Sequence, residues 1–404
     1  MSEKRYISII RLIFSKEYGE IDMTEKLFDN GLLFEFDAMV ISCTESKKGF
    51  EIILDRTAFF PEGGGQAADT GVIGSSTVSD VQEKNDTVIH YADKAVGAGS
   101  SVHCRIDRDK RFRRMQEHTG EHILTGVIHN RFGYNNVGFH LGDQGVRLDL
   151  DGVLSKAELR ECELEANKVI ARNVRVIVSY PDKNALETLD YRSKTEIAGK
   201  VRIVSIEGCD VCACCAPHVP DTGSVGMIKV ISSEKYKGGT RIYIVCGLDA
   251  LDDYNRRLDD IYEVSHLISA KPEKTSDAVA ALLNENNAYK YRINEIERTR
   301  AAQIIASLKN DSRGSFCIFT ENMNVNILRS IANEGVKLTD RAFGVFAEKD
   351  GGFSYIIVSS GIGLREKSKE INSVLDGRGG GSDLMIQGSV TADRSRIEEY
   401  FASL

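Results

Sequence analysis

The chain has 404 residues, 42% of them hydrophobic and 28% charged, proportions that suit a globular protein of about two to four domains and exclude a disordered or low-complexity chain. A formal charge of −8 argues against a protein that coats nucleic acid through a uniformly basic surface. The apolar stretch from Tyr6 to Phe14 is interrupted by Arg11 and lacks a small-residue cleavage site, and no longer apolar run follows, so the expectation is a cytoplasmic protein without membrane contact.

Between Leu32 and Ile106 the sequence offers short runs of strand type: Phe36 to Cys43, Gly49 to Leu54, Val72 to Gly74, Thr77 to Val81, Thr87 to Tyr91 and Val102 to Ile106. Short strands parted by turn-rich segments at this spacing predict a small barrel or sandwich. The period changes at Lys110, where Phe112, Met115, Ile123, Val127 and Ile128 recur at helical spacing as far as Asn130. Helix and strand candidates then alternate: Lys156 to Asn173, Val174 to Ser179, Asp182 to Leu189, Val201 to Ile206, Val225 to Ser232 and Gly239 to Cys246. This order predicts an α+β layer domain. From Asp249 to Lys309 the chain is almost continuously helix-forming, with a break at Lys271-Pro272. Its apolar seam, Leu282, Tyr289, Ile293, Ile296 and Ile304, suits a helical hairpin or a dimerising coiled coil. A last unit, Asn310 to Leu404, has strand candidates near Cys317 to Thr320, Phe343 to Ala347 and Phe353 to Val358, and helices near Asn324 to Glu334, Glu366 to Leu375 and Asp393 to Ala402.

The residues with most chemistry are His118 and His122, in His118-Thr119-Gly120-Glu121-His122, and Cys214 and His218 further on. Side chains at i and i+4 share a helix face, so the two histidines can offer nitrogens to one ion while the second segment adds sulfur and imidazole. Such a donor set favours zinc over calcium or magnesium. His118 is not followed by Glu, which sets aside the His-Glu-x-x-His peptidases. Four of the nine cysteines fall within Cys209 to Cys215, and without an export signal they read as reduced thiols and ligands. Cys215 competes with Cys214 for the metal.

Six basic residues lie between Arg105 and Arg114, where the plain reading is a solvated helix face. Two glycine clusters, Gly63-Gly64-Gly65 and Gly377-Arg378-Gly379-Gly380-Gly381, match neither a Walker loop nor a dinucleotide fingerprint. Taken singly they read as tight turns, although consecutive glycine amides can also nest an anion.

The order of these features is more distinctive than any one of them. Phe60-Pro61-Glu62-Gly63-Gly64-Gly65-Gln66 through Asp69-Thr70-Gly71, Met115-Gln116-Glu117-His118 through His122, Val137-Gly138-Phe139-His140-Leu141-Gly142 and Cys214-Cys215-Ala216-Pro217-His218-Val219 together resemble the free-standing alanyl-tRNA editing proteins, the AlaX type. The resemblance covers the chain after about Met23. Its last third resembles the C-terminal domain of alanyl-tRNA synthetase, which marks the long form. Many family members read Cys-Gly-Gly-Thr-His where this chain has Cys214-Cys215-Ala216-Pro217-His218, and that pattern favours Cys214 as ligand, with Cys209 and Cys212 as bystanders or supporting groups.

The resemblance implies an α+β multidomain protein that follows an N-terminal extension, residues 1–22, without counterpart in the family: a β-barrel domain over 23–107, a zinc-containing editing domain over 108–248, a helical dimerisation region over 249–309 and a glycine-rich tRNA-binding domain over 310–404. It implies an aminoacyl-tRNA deacylase that removes serine, and glycine, from alanine tRNA. One zinc ion would be held by His118, His122, Cys214 and His218, and the long helical region would join two copies. Gln116 and Glu121 are the candidate catalytic groups. Gly63, Gly64, Gly65, Gln66, Arg113, Arg114 and Arg378 are the candidate substrate contacts, the arginines near 113 for the acceptor stem and Arg378 for the tRNA body. Three alternatives stand beside it. A phosphoesterase with a similar last domain would carry Asp-His-His, which this sequence lacks. An RNA-binding module with a structural zinc would protect the ester instead of cleaving it. A complete alanyl-tRNA synthetase needs a class II aminoacylation domain, for which the order of elements leaves no room ahead of the editing module.

Overall fold

Alternating burial along the first strands closes them into a six-stranded barrel, the first of the two forms predicted. In Glu35–Ser46 the residues Phe36, Ala38 and Val40 point inward and their neighbours outward, as a two-residue period requires. Around the barrel this strand is followed by Gly49–Leu54, Thr87–Ala92, Ser76–Lys84, Gly71–Ile73 and Ser101–Ile106, which returns to the first; all pairs are antiparallel. The interior is filled by Ile52, Leu54, Ile73, Val81 and Val88, each essentially inaccessible and each contributing ~1.5–3 kcal/mol by its burial. A titratable polar group, His90, lies among them. His90 is fully buried between Thr57 Oγ1 (2.8 Å) and the Ile52 carbonyl (3.0 Å), and its burial pushes it down to about 4. This computed structural model describes residues 24–142, 145–193, 200–308 and 314–404; the extension expected over 1–22 lies outside them.

The helix Arg108–Phe132 follows the barrel directly. Asp107 caps its start by accepting from Lys110 N, and Gly133 ends it in a left-handed conformation. Its Met115, Ile123, Leu124 and Ile128 are buried in a core shared with Leu141, Val146, Leu148, Ile242 and Ile244. Those partners come from a four-stranded antiparallel sheet in the order Ile228–Tyr236, Gly239–Cys246, Gly145–Leu150, Asn136–Gly142. A second helix, Lys156–Arg172, opens with a reciprocal Ser155/Glu158 capping box and adds Leu159, Cys162 and Ala166 to the same core. A three-stranded sheet, Val176–Ser179, Ile203–Ile206 and Asp210–Ala213, completes this part. The strands Asn136–Gly142, Gly145–Leu150 and Asp210–Ala213 were not among the predicted elements.

The chain divides into two compact units, Met1–Asp260 and Ile261–Leu404. The predicted helical stretch contains the helices Leu248–Leu267 and Thr275–Ser307, with a 3-10 turn at Pro272–Lys274 where the break was expected. Along the longer helix, Leu282, Tyr289, Ile293 and Ile296 are 54%, 55%, 55% and 61% exposed, whereas Ile304 packs against the core of its own unit.

That unit is built on a five-stranded sheet in the order Phe316–Thr320, Ala342–Lys349, Gly352–Ser359, Met385–Val390, Gly377–Gly381. The sheet is covered on both faces. Phe343, Val345 and Ala347 face the helix Val325–Gly335, and the intervening Ala342 and Phe346 join residues of the helices Leu364–Val374 and Arg394–Ser403. Gly377–Gly381 corrects the sequence reading: it is an edge strand paired antiparallel with 385–390, not a loop. Among the described residues no helix is long and apolar enough to cross a membrane.

Candidate metal centre

His118 and His122 project from one face of the long helix, and Cys214 and His218 follow the strand Asp210–Ala213. One donor atom from each of the four lies within 4.8 Å of every other. The imidazole of His118 and that of His218 each bring Nε2 to 3.4 Å from Cys214 Sγ. Zinc bonds of ordinary length at tetrahedral angles would put nitrogen and sulfur about 3.5 Å apart, so the donor spacing fits the ion. Cys215 is exposed and stands outside this group, its sulfur instead near the backbone of Gly64.

What surrounds the donors fits a metal as well. Each histidine has a partner on its other nitrogen: Nδ1 of His118 lies 2.8 Å from Gln66 Oε1, that of His122 2.8 Å from Asp210 Oδ2, and that of His218 3.0 Å from Thr119 Oγ1. The acceptor oxygens of Gln66 and Asp210 fix the tautomers of His118 and His122, and the Thr119 hydroxyl holds the ring angle of His218, leaving each Nε2 able to serve as ligand. Asp210 is itself held by Arg192, whose Nε donates to Oδ1 at 2.8 Å while Nη2 donates to Thr125 Oγ1 at 2.9 Å. Gln66 is fully buried and its Nε2 finds no partner, the amide being turned to give its oxygen to His118.

The electrostatics follow from burial and proximity. Burial alone would raise the Cys214 thiol, yet the imidazoles of His118 and His218 outweigh it and hold the thiol well below its ordinary value. Burial pushes His218 down to about 3 against the pull of Cys214. Burial would also lower His122, but Glu121 and Asp210 overcome it and raise this imidazole. Cys214 and His218 thus tend toward the thiolate and neutral forms that take a metal, whereas His122, raised by its carboxylate neighbours, must give up a proton to do so.

The other predicted residues divide. Gly63, Gly64, Gly65 and Gln66 form a tight turn beside the centre, with Gly63 and Gln66 exchanging backbone hydrogen bonds of 3.1 and 3.0 Å. Glu121 is buried; its Oε2 is 3.8 Å from His122 Nε2, and its other oxygen accepts from Asn136 and Thr125. Gln116 points elsewhere, its amide donating to the carbonyls of Ser224 (2.9 Å) and Val225 (3.4 Å). Arg114 is buried and donates to the Ala68 carbonyl at 2.5 Å, and Arg113 pairs with Asp249. Arg111 is inaccessible. The basic run is therefore in part a set of internal ties and not the solvated face of the plain reading. Arg378 is exposed on the C-terminal edge strand.

Sequence reasoning missed Asp210, Arg192 and Thr119 as supports. Cys212, taken for a bystander or supporting group, lies with His122 and Asp210 in a second buried cluster of donors. The signal for Asp210 was present four residues before Cys214, on a strand whose alternation sends 210 and 212 to one side.

Comparison with known proteins places this chain among proteins related to aminoacyl-tRNA synthetases. The model of the threonyl and alanyl tRNA synthetase second additional domain matches residues 201–243, which include Cys214 and His218, and that of the class II (A) tRNA synthetases matches residues 16–110. Alanyl-tRNA editing protein AlaX-L of Pyrococcus horikoshii is 31% identical over 93% of this chain and 96% of its own length. The chain belongs to the alanyl-tRNA editing protein family. A Danio rerio member, Aarsd1, is 29% identical over 90% of this chain and 93% of its own. Alanine–tRNA ligase of Methanopyrus kandleri is 28% identical over 94% of this chain, which spans only 44% of that ligase. The solved C-Ala domain of Aquifex aeolicus alanyl-tRNA synthetase is matched over 24% of this chain at 20% identity with a TM-score of 0.20, a likeness too low to carry an argument.

Proposed function

We propose that this chain is a trans-editing hydrolase that cleaves the ester of serine, and of glycine, misattached to alanine tRNA. A pocket selecting alanine cannot exclude smaller glycine and discriminates weakly against one added hydroxyl, so a separate hydrolytic site is the physical remedy. The observation that carries the reading is the buried cluster of three imidazoles and one thiol, each imidazole fixed from behind, beside a turn of exposed glycines.

His118, His122, Cys214 and His218 would hold one zinc ion, which when bound supplies a Lewis acid for the ester or its attacking water. A four-residue donor set resembles the closed shell of structural sites, so that role requires one of the four donors to give way, and the rest of the handling of the ester falls to the surroundings. The Gly64 and Gly65 backbone, lacking side chains, lets the terminal ribose approach closely. Glu121, with one oxygen engaged by Asn136 and the other near His122, is the group proposed to hold a proton of the attacking water. Gln116 has its amide engaged by backbone carbonyls and is left out of this role, and Arg114, buried and tied to the Ala68 carbonyl, is left out of the acceptor-stem contact expected of it. Exposed Arg378 remains the proposed contact for the tRNA body, and the exposed seam from Leu282 to Ile296 supports a homodimer. The proposed compartment is the cytoplasm, where charged tRNA is made and used.

Deacylation of seryl-, glycyl- and alanyl-tRNA by the zinc-loaded protein tests the reading. Serine release should be rapid, alanine release slow, and His122→Ala or Cys214→Ala should abolish turnover while the circular dichroism of the fold persists. Undiminished hydrolysis by a folded, metal-free variant would show that the centre is not catalytic. Protection of the ester by wild type would favour the RNA-binding alternative, which the closed donor shell also suits.

A further inference from the structure

Arg111 lies seven residues before His118, and two turns of helix put both side chains on one face. Both grip the same barrel segment, at its neck and at its tip. At the neck, Arg111 Nε lies 3.0 and 2.9 Å from the two oxygens of Asp69, and Nη2 donates to Asp69 and, at 2.6 Å, to the Ala58 carbonyl. Asp69 Oδ2 also accepts from Phe60 N at 2.7 Å, and Asp69 N donates to Phe60 O at 3.0 Å. Residues 60–69 are thus drawn into a loop whose base is fastened to the helix. At the tip, Gln66 gives its oxygen to His118 Nδ1.

Side chains of both partners are 0% and 1% exposed. A buried ion pair recovers little more than its desolvation, and an apolar pair of equal volume would join helix to barrel about as well. What the guanidinium fork adds is direction, because its donors match a carboxylate at one angle and one register only.

We infer that Arg111 and Asp69 are positioning residues for the editing centre: by clamping the neck of the glycine loop they set the Gln66 amide on His118 and, through that amide, the orientation of the imidazole. The inference rests on the metal reading above and adds to it a mechanical link from the barrel.

The test uses the full chain loaded with cobalt(II), whose visible d–d bands report ligand geometry independently of turnover. Arg111→Lys keeps the charge but loses the fork, and Asp69→Asn keeps the shape but loses the charge. Both should shift the bands in the direction produced by Gln66→Ala. Both should also lower kcat for seryl-tRNA on the order of tenfold to a hundredfold with KM near wild type. Arg111→Lys combined with Gln66→Ala should be no worse than Gln66→Ala alone, since both act through one amide. Wild-type spectra in both variants, with only the melting temperature lowered, would reduce the ion pair to a structural tie; additive losses in the double variant would show that it does not act through Gln66. Should both single variants fail to fold, Asp69→Glu, which moves the charge by one methylene, is read by the same criteria. Failure of wild type to take up cobalt overturns the metal reading itself and this inference with it, an outcome distinct from normal uptake with unshifted bands.

Discussion

The two glycine-rich segments look alike in the sequence and do opposite things in the fold. Gly64 and Gly65 have φ of +59° and +84°, a region that side chains disfavour, and a Cβ on Gly65 would stand 2.7 Å from both the carbonyl oxygen and a ring carbon of Phe139. Gly377–Gly381 is extended, and none of its glycines has positive φ. There the demand is for space: a Cβ on Gly379 would stand 2.3 Å from Tyr355 Oη, whereas one on Gly380 would meet nothing within 4 Å. Glycine density therefore marks a constraint without saying which. The first segment is shaped for a turn against the histidine and cysteine cluster, the second for a sheet pressed onto a tyrosine.

Substitutions can break this contrast or sharpen it. Gly65→Ala carries both penalties, a left-handed backbone and a clash with backbone, and should cost roughly 3–4 kcal/mol in urea unfolding and slow seryl-tRNA deacylation more than about tenfold. Acid should act on the barrel that bears the first segment. His90 titrates at about 4 in the fold and near 6.5 when unfolded, so the unfolded chain binds more protons between these values. The stability this residue contributes is complete above pH 6.5 and is lost as pH falls toward 4, on the order of 3 kcal/mol. His90→Gln should flatten that part of the stability profile, and an unchanged slope would refute the assignment. In the second segment Gly379→Ala should cost ~1–3 kcal/mol by overpacking against Tyr355. Gly380→Ala should move the unfolding midpoint by no more than about 0.5 kcal/mol; a loss as large as that of its neighbour would mean that this strand edge is more closely covered than its surroundings suggest.

Much of the fold was legible because its elements carry their own periods. All six barrel strands fall where alternation and turn residues placed them, with Gly49–Leu54 matched end to end. The histidine helix begins two residues before Lys110 and ends two beyond Asn130. The strands that escaped notice have weak local signals. Gly377–Gly381 has no apolar side chain at all and becomes a strand only through pairing with 385–390, and Asp210–Ala213 is short, its alternation visible only once its partner Ile203–Ile206 is known. The centre shows the same division. Its four donors could be read from residue type and spacing, whereas Gln66, Asp210 and Thr119 act on histidines 52, 88 and 99 residues away. Arg111 was misread for a related reason: a charge run looks solvated until Asp69, 42 residues earlier, is seen to neutralise one of its members inside the protein.

One contact of the glycine turn reaches beyond chemistry. Gln66 forms a parallel bridge with Leu141, and Leu141 N donates to Gly65 O at 2.9 Å, on the outermost strand of the four-stranded sheet. Sheets with a bare rim recruit strands from other molecules, and here the glycine turn doubles as the rim's guard. Variants that dislodge it should therefore not merely be inactive; they should also become sticky, so that in this protein proofreading and solubility fail together.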